Sequence, residues 1–251
     1  MTKVTIQVFD SVEALQTAAA RQLAHALGPS TAGRDVRVAL SGGSTPRRMH
    51  ELLAEAPGID WSRVHVYFGD ERSVPPDDAD SNYRMARETL LDRTGIPEPN
   101  VYRMRGEIDP VDAAQAYQAE LERTFGVKPP EFPRFDAIVL GLGTDGHTAS
   151  LFPGTDALHE RRRWVVANHV PQLGTKRITL TYPVLNNAAL VMFLAAGTNK
   201  RDALRGVFGP ADQERPPAAH VQPSGKVVWL LDADAGAALS ADAVYEQSTQ
   251  S

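Results

Sequence analysis

The sequence predicts an α/β fold, a mostly parallel sheet with helices on both of its faces. Apolar, β-branched runs alternate with stretches of helical periodicity along the chain. Two of those runs, AIVL and VMFLAA, are apolar on both faces, as strands sandwiched inside a parallel sheet are. The 251 residues, 42% of them hydrophobic, suffice for one core of ordinary size; no Ser/Gly linker or internal repeat divides them, so 1–251 is read as a single domain.

In chain order, VTIQVF (4–9) is the first strand and 11–27 the first helix. VRVAL (36–40) is the second strand, and SGGSTPRRMHEL carries the chain into a helix over 46–55. Pro46 suits the first turn of that helix, where a missing N–H costs nothing, and Ser44 or Thr45 is placed to cap it. The glycines, Gly42 and Gly43, let the backbone turn sharply. A helix start offers free N–H groups and a partial positive charge, so this turn reads either as an ordinary junction or as a phosphate seat. It lies beyond the carboxyl end of a strand, where ligands bind in open α/β sheets.

VHVYF (64–68) is the third strand, and Asp70, Glu71 and Arg72 follow it directly. Three adjacent charges point in different directions; they read as a solvated turn with local ion pairs or as part of a site. A helix over 81–92, capped by Ser81 or Asn82 with Glu88 on its polar side, and another over 110–125 come next. FDAIVLGLG (135–143) is a buried strand that runs into TDGHTASLFPGT. Gly141, Gly143 and Gly146 match G-x-G-x-x-G, but Pro153 closes the segment at once and the next strand does not end in an acid, which argues against a nucleotide site. WVVAN (164–168), RITLTYP (177–183), LVMFLAAG (190–197) and KVVWLLD (226–232) complete the strands, with a helix over 199–208 and Pro-rich loops at GVKPPEFPRF and GPADQERPPAAH.

Composition narrows the chemistry. With no cysteine, disulfides, thiol nucleophiles and sulfur-ligated zinc are excluded. A net charge of −5 disfavours nucleic acid and anionic membranes as partners. MTKVTIQVFDSVEAL lacks the apolar segment of a signal peptide, and no run approaches the roughly 20 apolar residues of a membrane span. A soluble, cytoplasmic monomer without metal or cofactor is expected.

Of the seven histidines, His147 alone sits in a Gly-rich loop after a buried strand, beside Asp145, which makes it the candidate proton carrier. GTNKRDAL repeats the strand–Gly–hydroxyl–helix arrangement. Lys200 and Arg201 stand near its helix start, where cations are unfavourable unless an anion lies between them and the turn; the other reading is a pair of exposed solubilising charges.

Together LSGGSTP, FGDERSVP, SNYRMA, VLGLGTDGHTASLFPGT, RITLTYPVLN and GTNKRDAL, in this order over nearly the whole chain, resemble the motifs of the 6-phosphogluconolactonase family. The resemblance implies the fold of the glucosamine-6-phosphate deaminases and ribose-5-phosphate isomerases. It also implies hydrolysis of 6-phospho-D-glucono-1,5-lactone to 6-phosphogluconate in the oxidative pentose phosphate pathway. On that reading His147 is the general base for water and Asp145 orients it or shapes the loop. Backbone N–H groups at Gly42-Gly43 or Gly143 are the candidates for the oxyanion site. Gly42, Gly43, Ser44, Thr45, Asp70, Arg72, Asn82, Gly143, Thr148 and Lys200 line the substrate site, with Lys200 the first choice for the phosphate. Arg177 either joins them or is a strand-edge surface charge. A δ-lactone carbonyl is already activated and needs no Lewis acid.

Two other readings are a deaminase of amino-sugar phosphates and a phosphosugar-sensing regulator. The deaminases resemble Asp-Gly-His-Ile-Ala-Phe-Asn-Glu-Pro at this loop; here Phe152 stands at the glutamate's place. A regulator usually carries a DNA-binding segment, and no such extension or basic stretch is present.

Overall fold

The structure, a computed structural model, describes residues 3–28, 33–209 and 215–239. Part of the Pro-rich loop 209–220 expected from the sequence, residues 210–214, lies outside the described residues.

A six-stranded parallel sheet forms the centre. Its strands are β1 (Lys3–Phe9), β2 (Val36–Leu40), β3 (Val64–Phe68), β5 (Ala137–Gly141), β8 (Leu190–Ala195) and β9 (Lys226–Asp232), in the spatial order β1-β9-β8-β5-β2-β3. From β2 the chain goes outward to β3, whereas β5 is followed by β8 and β9 on the opposite side. The strand order therefore reverses between β2 and β5, and a crevice opens there beyond the strands' carboxyl ends.

Helices cover both faces, each filling one core. On one face α1 (Val12–Leu27), α2 (Ser44–Ala54) and α3 (Asn82–Thr89) bury Leu15, Leu23, Met49, Leu53 and Ala86 against Val38, Val66, Val139 and Met192. On the other, α4 (Pro110–Phe125), the helical turn α5 (Tyr182–Leu185), α6 (Arg201–Phe208) and the turn α7 (Ala233–Gly236) pack with Phe135, Trp164, Phe193 and Trp229 over Ala39, Ile138 and Leu140. Residues 137 to 140 of β5 thus go alternately to the two cores, all fully buried, which is why this strand reads as continuously apolar. None of the described helices is long and apolar enough to cross a membrane.

A second, three-stranded antiparallel sheet, β4 (Asp70–Arg72), β7 (Thr175–Leu180) and β6 (Val165–Val170), in the order β4-β7-β6, was not foreseen. The physical reason for its direction lies in the chain itself. Only residues 171–174 join β6 to β7, and a parallel pair needs a crossover of a dozen or more. Asp70 and Glu71, read as part of a possible solvated turn, are instead buried in β4. One glycine, Gly69, carries the chain from β3 into the second sheet: its N–H donates to Leu40 in one sheet and its carbonyl accepts from Leu180 in the other.

Helix starts differ from expectation in one place. Ser81 caps α3 through Arg84 N–H and Ser11 caps α1 through Ala14 N–H. Neither Ser44 nor Thr45 caps α2, whose cap position is Gly43 with no side-chain hydrogen bond.

Candidate active site

β8, β5 and β2 are neighbours at the middle of the parallel sheet, so the three glycine-rich turns that follow them open at one end of it. The second sheet supplies a further wall. Between them lies a cleft of about 580 Å³, and every site residue named from the sequence lines it: Gly42, Gly43, Ser44, Thr45, Asp70, Arg72, Asn82, Gly143, Asp145, His147, Thr148, Arg177 and Lys200. A larger cavity of about 950 Å³ adjoins it at Thr144 and Asp145, between Tyr182, Arg215 and His220. The turns after β2 and β8 do not reach that cavity, so chemistry rather than size selects the cleft.

The loop after β5 is folded on its own polar groups. His147 Nδ1 lies 2.5 Å from Asp145 Oδ1, and the same oxygen accepts the His147 backbone N–H at 3.1 Å. A carboxylate only accepts, so Nδ1 carries a proton, and in the neutral imidazole Nε2 is then the nitrogen with the free lone pair. Gly143 closes the loop by donating its N–H to the His147 carbonyl at 2.8 Å. A Cβ at Gly143 would stand 2.0 Å from His147 Nδ1, so the imidazole–carboxylate pair needs a glycine beneath it. The same hydrogen bond removes the Gly143 N–H from the candidate oxyanion donors and leaves those of Gly42 and Gly43, which have no partner among the described residues. Phe152, noted in the sequence for the acid it replaces, stacks on His147 with ring centroids 4.0 Å apart and covers one face of the imidazole.

The start of α2 leaves its donors open. Gly43 adopts φ 109°, which L side chains rarely reach. Beyond it the N–H groups of Ser44 and Thr45 point outward uncapped, and Pro46 has none to offer. Across the cleft Lys200 ends the short 3₁₀ turn Thr198–Lys200. Burial holds its ammonium below the usual lysine range, against the pull of the Asp145 carboxylate.

β4 and β7 bring the remaining charges together. Arg72 and Arg177 are directly opposite in the antiparallel register, and Asp70 is opposite Thr179. Arg177 is half-buried and not a surface charge of the strand edge. Its guanidinium is pushed down by burial and by Arg72, and among the described residues it donates only to Thr175 Oγ1 and the Lys176 carbonyl. Like charges facing each other on paired strands are destabilising unless an anion joins them. Arg72 itself donates to the Asp80 carbonyl.

Asp70 is spent on structure: Oδ2 accepts from Ser150 Oγ at 2.6 Å and Oδ1 from Asn82 Nδ2 at 3.2 Å. Asn82 Oδ1 is buried without a partner. Thr148 turns its hydroxyl to the Gly141 carbonyl at 2.9 Å, tying the loop to β5. Glu71 points away from the cleft and accepts the N–H groups of Arg72, Asn82 and Tyr83 and the Ser81 hydroxyl, anchoring α3; burial raises its carboxyl above the usual range.

Ser150, Gln172 and Leu173 are among the lining groups that escaped the sequence reading. Ser150 belongs to the quoted DGHTAS run and was visible only as part of it. Gln172 and Leu173, at the tip of the β6–β7 hairpin, carry no local signal at all, because they reach the cleft only through the second sheet. Among the described residues no three His, Asp or Glu side chains gather as a metal ion requires.

Residues 10–229 match the family described as glucosamine-6-phosphate isomerases/6-phosphogluconolactonase. A 6-phosphogluconolactonase of Nostoc sp. is 47% identical over 81% of this chain and 84% of its own length. One from Mycobacterium tuberculosis is 37% identical over 94% and 98%. Among solved structures, 6-phosphogluconolactonase from Trypanosoma cruzi superposes with a TM-score of 0.85 at 32% identity, covering 96% of this chain and 98% of that one. A monomeric glucosamine-6-phosphate deaminase, at 18% identity and a TM-score of 0.77 over 95% and 100%, shares the fold alone.

Proposed function

This chain belongs to the glucosamine-6-phosphate isomerase/6-phosphogluconolactonase family, and we propose that its cleft hydrolyses 6-phospho-D-glucono-1,5-lactone to 6-phosphogluconate, with His147 as general base. The observation that carries the reading is the Asp145–His147 pair, held at 2.5 Å in the same cleft as a glycine turn whose N–H groups are unspent.

The chemistry follows from these positions. His147 Nε2 takes a proton from water as the oxygen attacks C1, and Asp145 stabilises the imidazolium that forms. Negative charge grows on the lactone carbonyl oxygen, and the partnerless N–H groups of Gly42 and Gly43 are the donors available to it. As the tetrahedral intermediate collapses, the C1–O5 bond breaks and the imidazolium returns its proton to the ring oxygen, leaving a carboxylic acid that ionises. The phosphate needs cations that no carboxylate already holds, and Lys200, Arg177 and Arg72 line the cleft with no ion pair among the described residues; Ser44 and Thr45 add N–H and hydroxyl donors. Asp70, Asn82 and Thr148 border the sugar ring's space, and Asn82 Oδ1, buried under Gly42, leaves no room for a side chain there.

Phe152 beside His147 separates this reaction from deamination, because phenylalanine relays no proton. The test measures proton release from freshly generated 6-phosphogluconolactone above its spontaneous opening, alongside ammonia release from glucosamine 6-phosphate. Fast proton release and no ammonia are expected. Ammonia without accelerated lactone opening would make the protein a deaminase, and silence in both with phosphosugar binding retained would make it a sensor.

A further inference from the structure

We propose that Asp232 is a positioning residue for the phosphate end of the cleft, acting through Gly197 on Lys200. The inference rests on the lactonase reading and on Lys200 as a phosphate contact.

Asp232 ends β9 and is only 7% exposed. No lysine or arginine among the described residues forms an ion pair with it. A carboxylate removed from water without a counter-ion is costly unless several donors replace the lost hydration. Here backbone amides supply them. Oδ1 accepts the Ala235 N–H at 2.9 Å, capping α7, and both oxygens accept the Gly197 N–H at 3.0 Å. Capping a four-residue turn asks for no charge and no second oxygen; serine does it as well. The bond to Gly197, 35 residues away in sequence, is what this side chain adds.

Gly197 is the pivot on which Lys200 turns. It has φ 93° and ψ 157°, nearly the conformation of Gly43 at 109° and 166°. Its N–H is held by Asp232, and its carbonyl accepts the Lys200 N–H at 3.1 Å. The next residue, Arg201, is tied to the same junction by Nε donating to the Asp234 carbonyl at 2.6 Å. Lys200 therefore stands between two points fastened to the β9–α7 corner, while its own ammonium, half-buried, has no hydrogen-bond or ion-pair partner among the described residues. The corner sets the backbone from which that ammonium reaches into the cleft.

The experiment is a double-mutant cycle with two substrates. Asp232→Ser keeps an oxygen for Ala235 but is too short to span to Gly197. It is expected to raise KM for 6-phosphogluconolactone about 10-fold, the scale of a lost charge-assisted bond. It should leave kcat within about twofold and KM for unphosphorylated glucono-δ-lactone unchanged. In a Lys200→Ala background the same change should add nothing, because the group it positions is gone. Asp232→Asn, which retains the reach, should restore KM to within about threefold of wild type, that residual rise also vanishing without Lys200; it carries the cycle alone if the serine variant does not fold. Effects that add in full to Lys200→Ala, that fall equally on both lactones, or that appear only as a lower Tm would reduce Asp232 to a structural cap. A Lys200→Ala enzyme that still prefers the phosphorylated lactone as strongly as wild type would instead overturn the phosphate assignment itself, and absence of lactone opening would overturn the reaction.

Discussion

The loop after β5 spends its polar groups within itself: Asp145 on His147, Gly143 on the His147 carbonyl, Thr148 on Gly141. The turns after β2 and β8 stand at the same end of the same sheet and do the reverse. Gly43, Ser44 and Thr45 leave their N–H groups open, and Lys200 leaves its ammonium open. Under the proposed reading the difference follows from the task. A proton carrier has to be oriented before substrate arrives, so its hydrogen bonds are made in advance. An anion seat has to keep its donors unspent until the anion fills them. Under that reading, damage to the loop after β5 or to the Gly42–Gly43 oxyanion donors appears in kcat, and damage to the phosphate contacts, Lys200 among them, in KM.

The largest expected effect tests the first half of that contrast. His147→Ala should lower kcat about 10²–10⁴-fold with KM nearly unchanged. Retention of more than half the wild-type kcat would take His147 out of the mechanism, and a loss seen mainly in KM would erase the distinction between loop and turns.

Lys200→Ala tests the second half. It removes a charge-assisted contact worth about 1.5–3 kcal/mol, so KM for the phosphorylated lactone should rise roughly 10- to 100-fold while kcat holds. Replacing the substrate with unphosphorylated glucono-δ-lactone should mimic the loss, and the variant should handle that substrate like wild type. A fall in kcat of similar size would mean that the turn after β8 serves the chemistry and not the binding.

The third effect is smaller and concerns the scaffold behind the turn after β2. His50 on α2 is fully buried against α3, its Nδ1 3.4 Å from Thr89 Oγ1 and its Nε2 without a partner. Burial, and secondarily the Arg47 charge, push the imidazole down from 6.5 to about 4. Above pH 6.5 it is neutral in folded and unfolded chains alike, and the fold keeps its full stability. As pH falls from 6.5 toward 4 the unfolded chain takes up a proton that the folded one refuses. Stability should then drop by about 1.4 kcal/mol per pH unit, about 3 kcal/mol in all. Denaturant midpoints of wild type and His50→Gln measured from pH 7 to 4.5 isolate this term. Curves that stay parallel would show that the imidazole is not the group responsible. Because His50 lies outside the cleft, its loss should not reshape the pH profile of kcat, which the proposed reading assigns to the loop after β5.

Much of the fold was legible because it is local. VRVAL and VHVYF became β2 and β3 residue for residue, and the helix over 110–125 became α4, with Asp109 as its cap and Gly126 in the left-handed conformation after it. The motif loops were legible for the same reason: Gly, Asp and His within five residues meet each other whatever the rest of the chain does. Ser44 and Thr45 misled as caps because cap preference describes isolated helix starts, and here Gly43 turns the chain so that the first N–H groups face an open cleft.

By itself, then, the sequence determined the strands of the parallel sheet, the longer helices and the closeness of Asp145 to His147, since backbone preference and short-range hydrogen bonding act over a few residues. Tertiary structure alone decided that β4, β6 and β7 form a separate sheet, that Arg72 faces Arg177, and that Ser150 meets Asp70 across 80 residues. It also placed Asp232 under Gly197. Such pairings are selected by which apolar faces can be buried together, and a polar group learns its partner only after that packing has brought the two within reach.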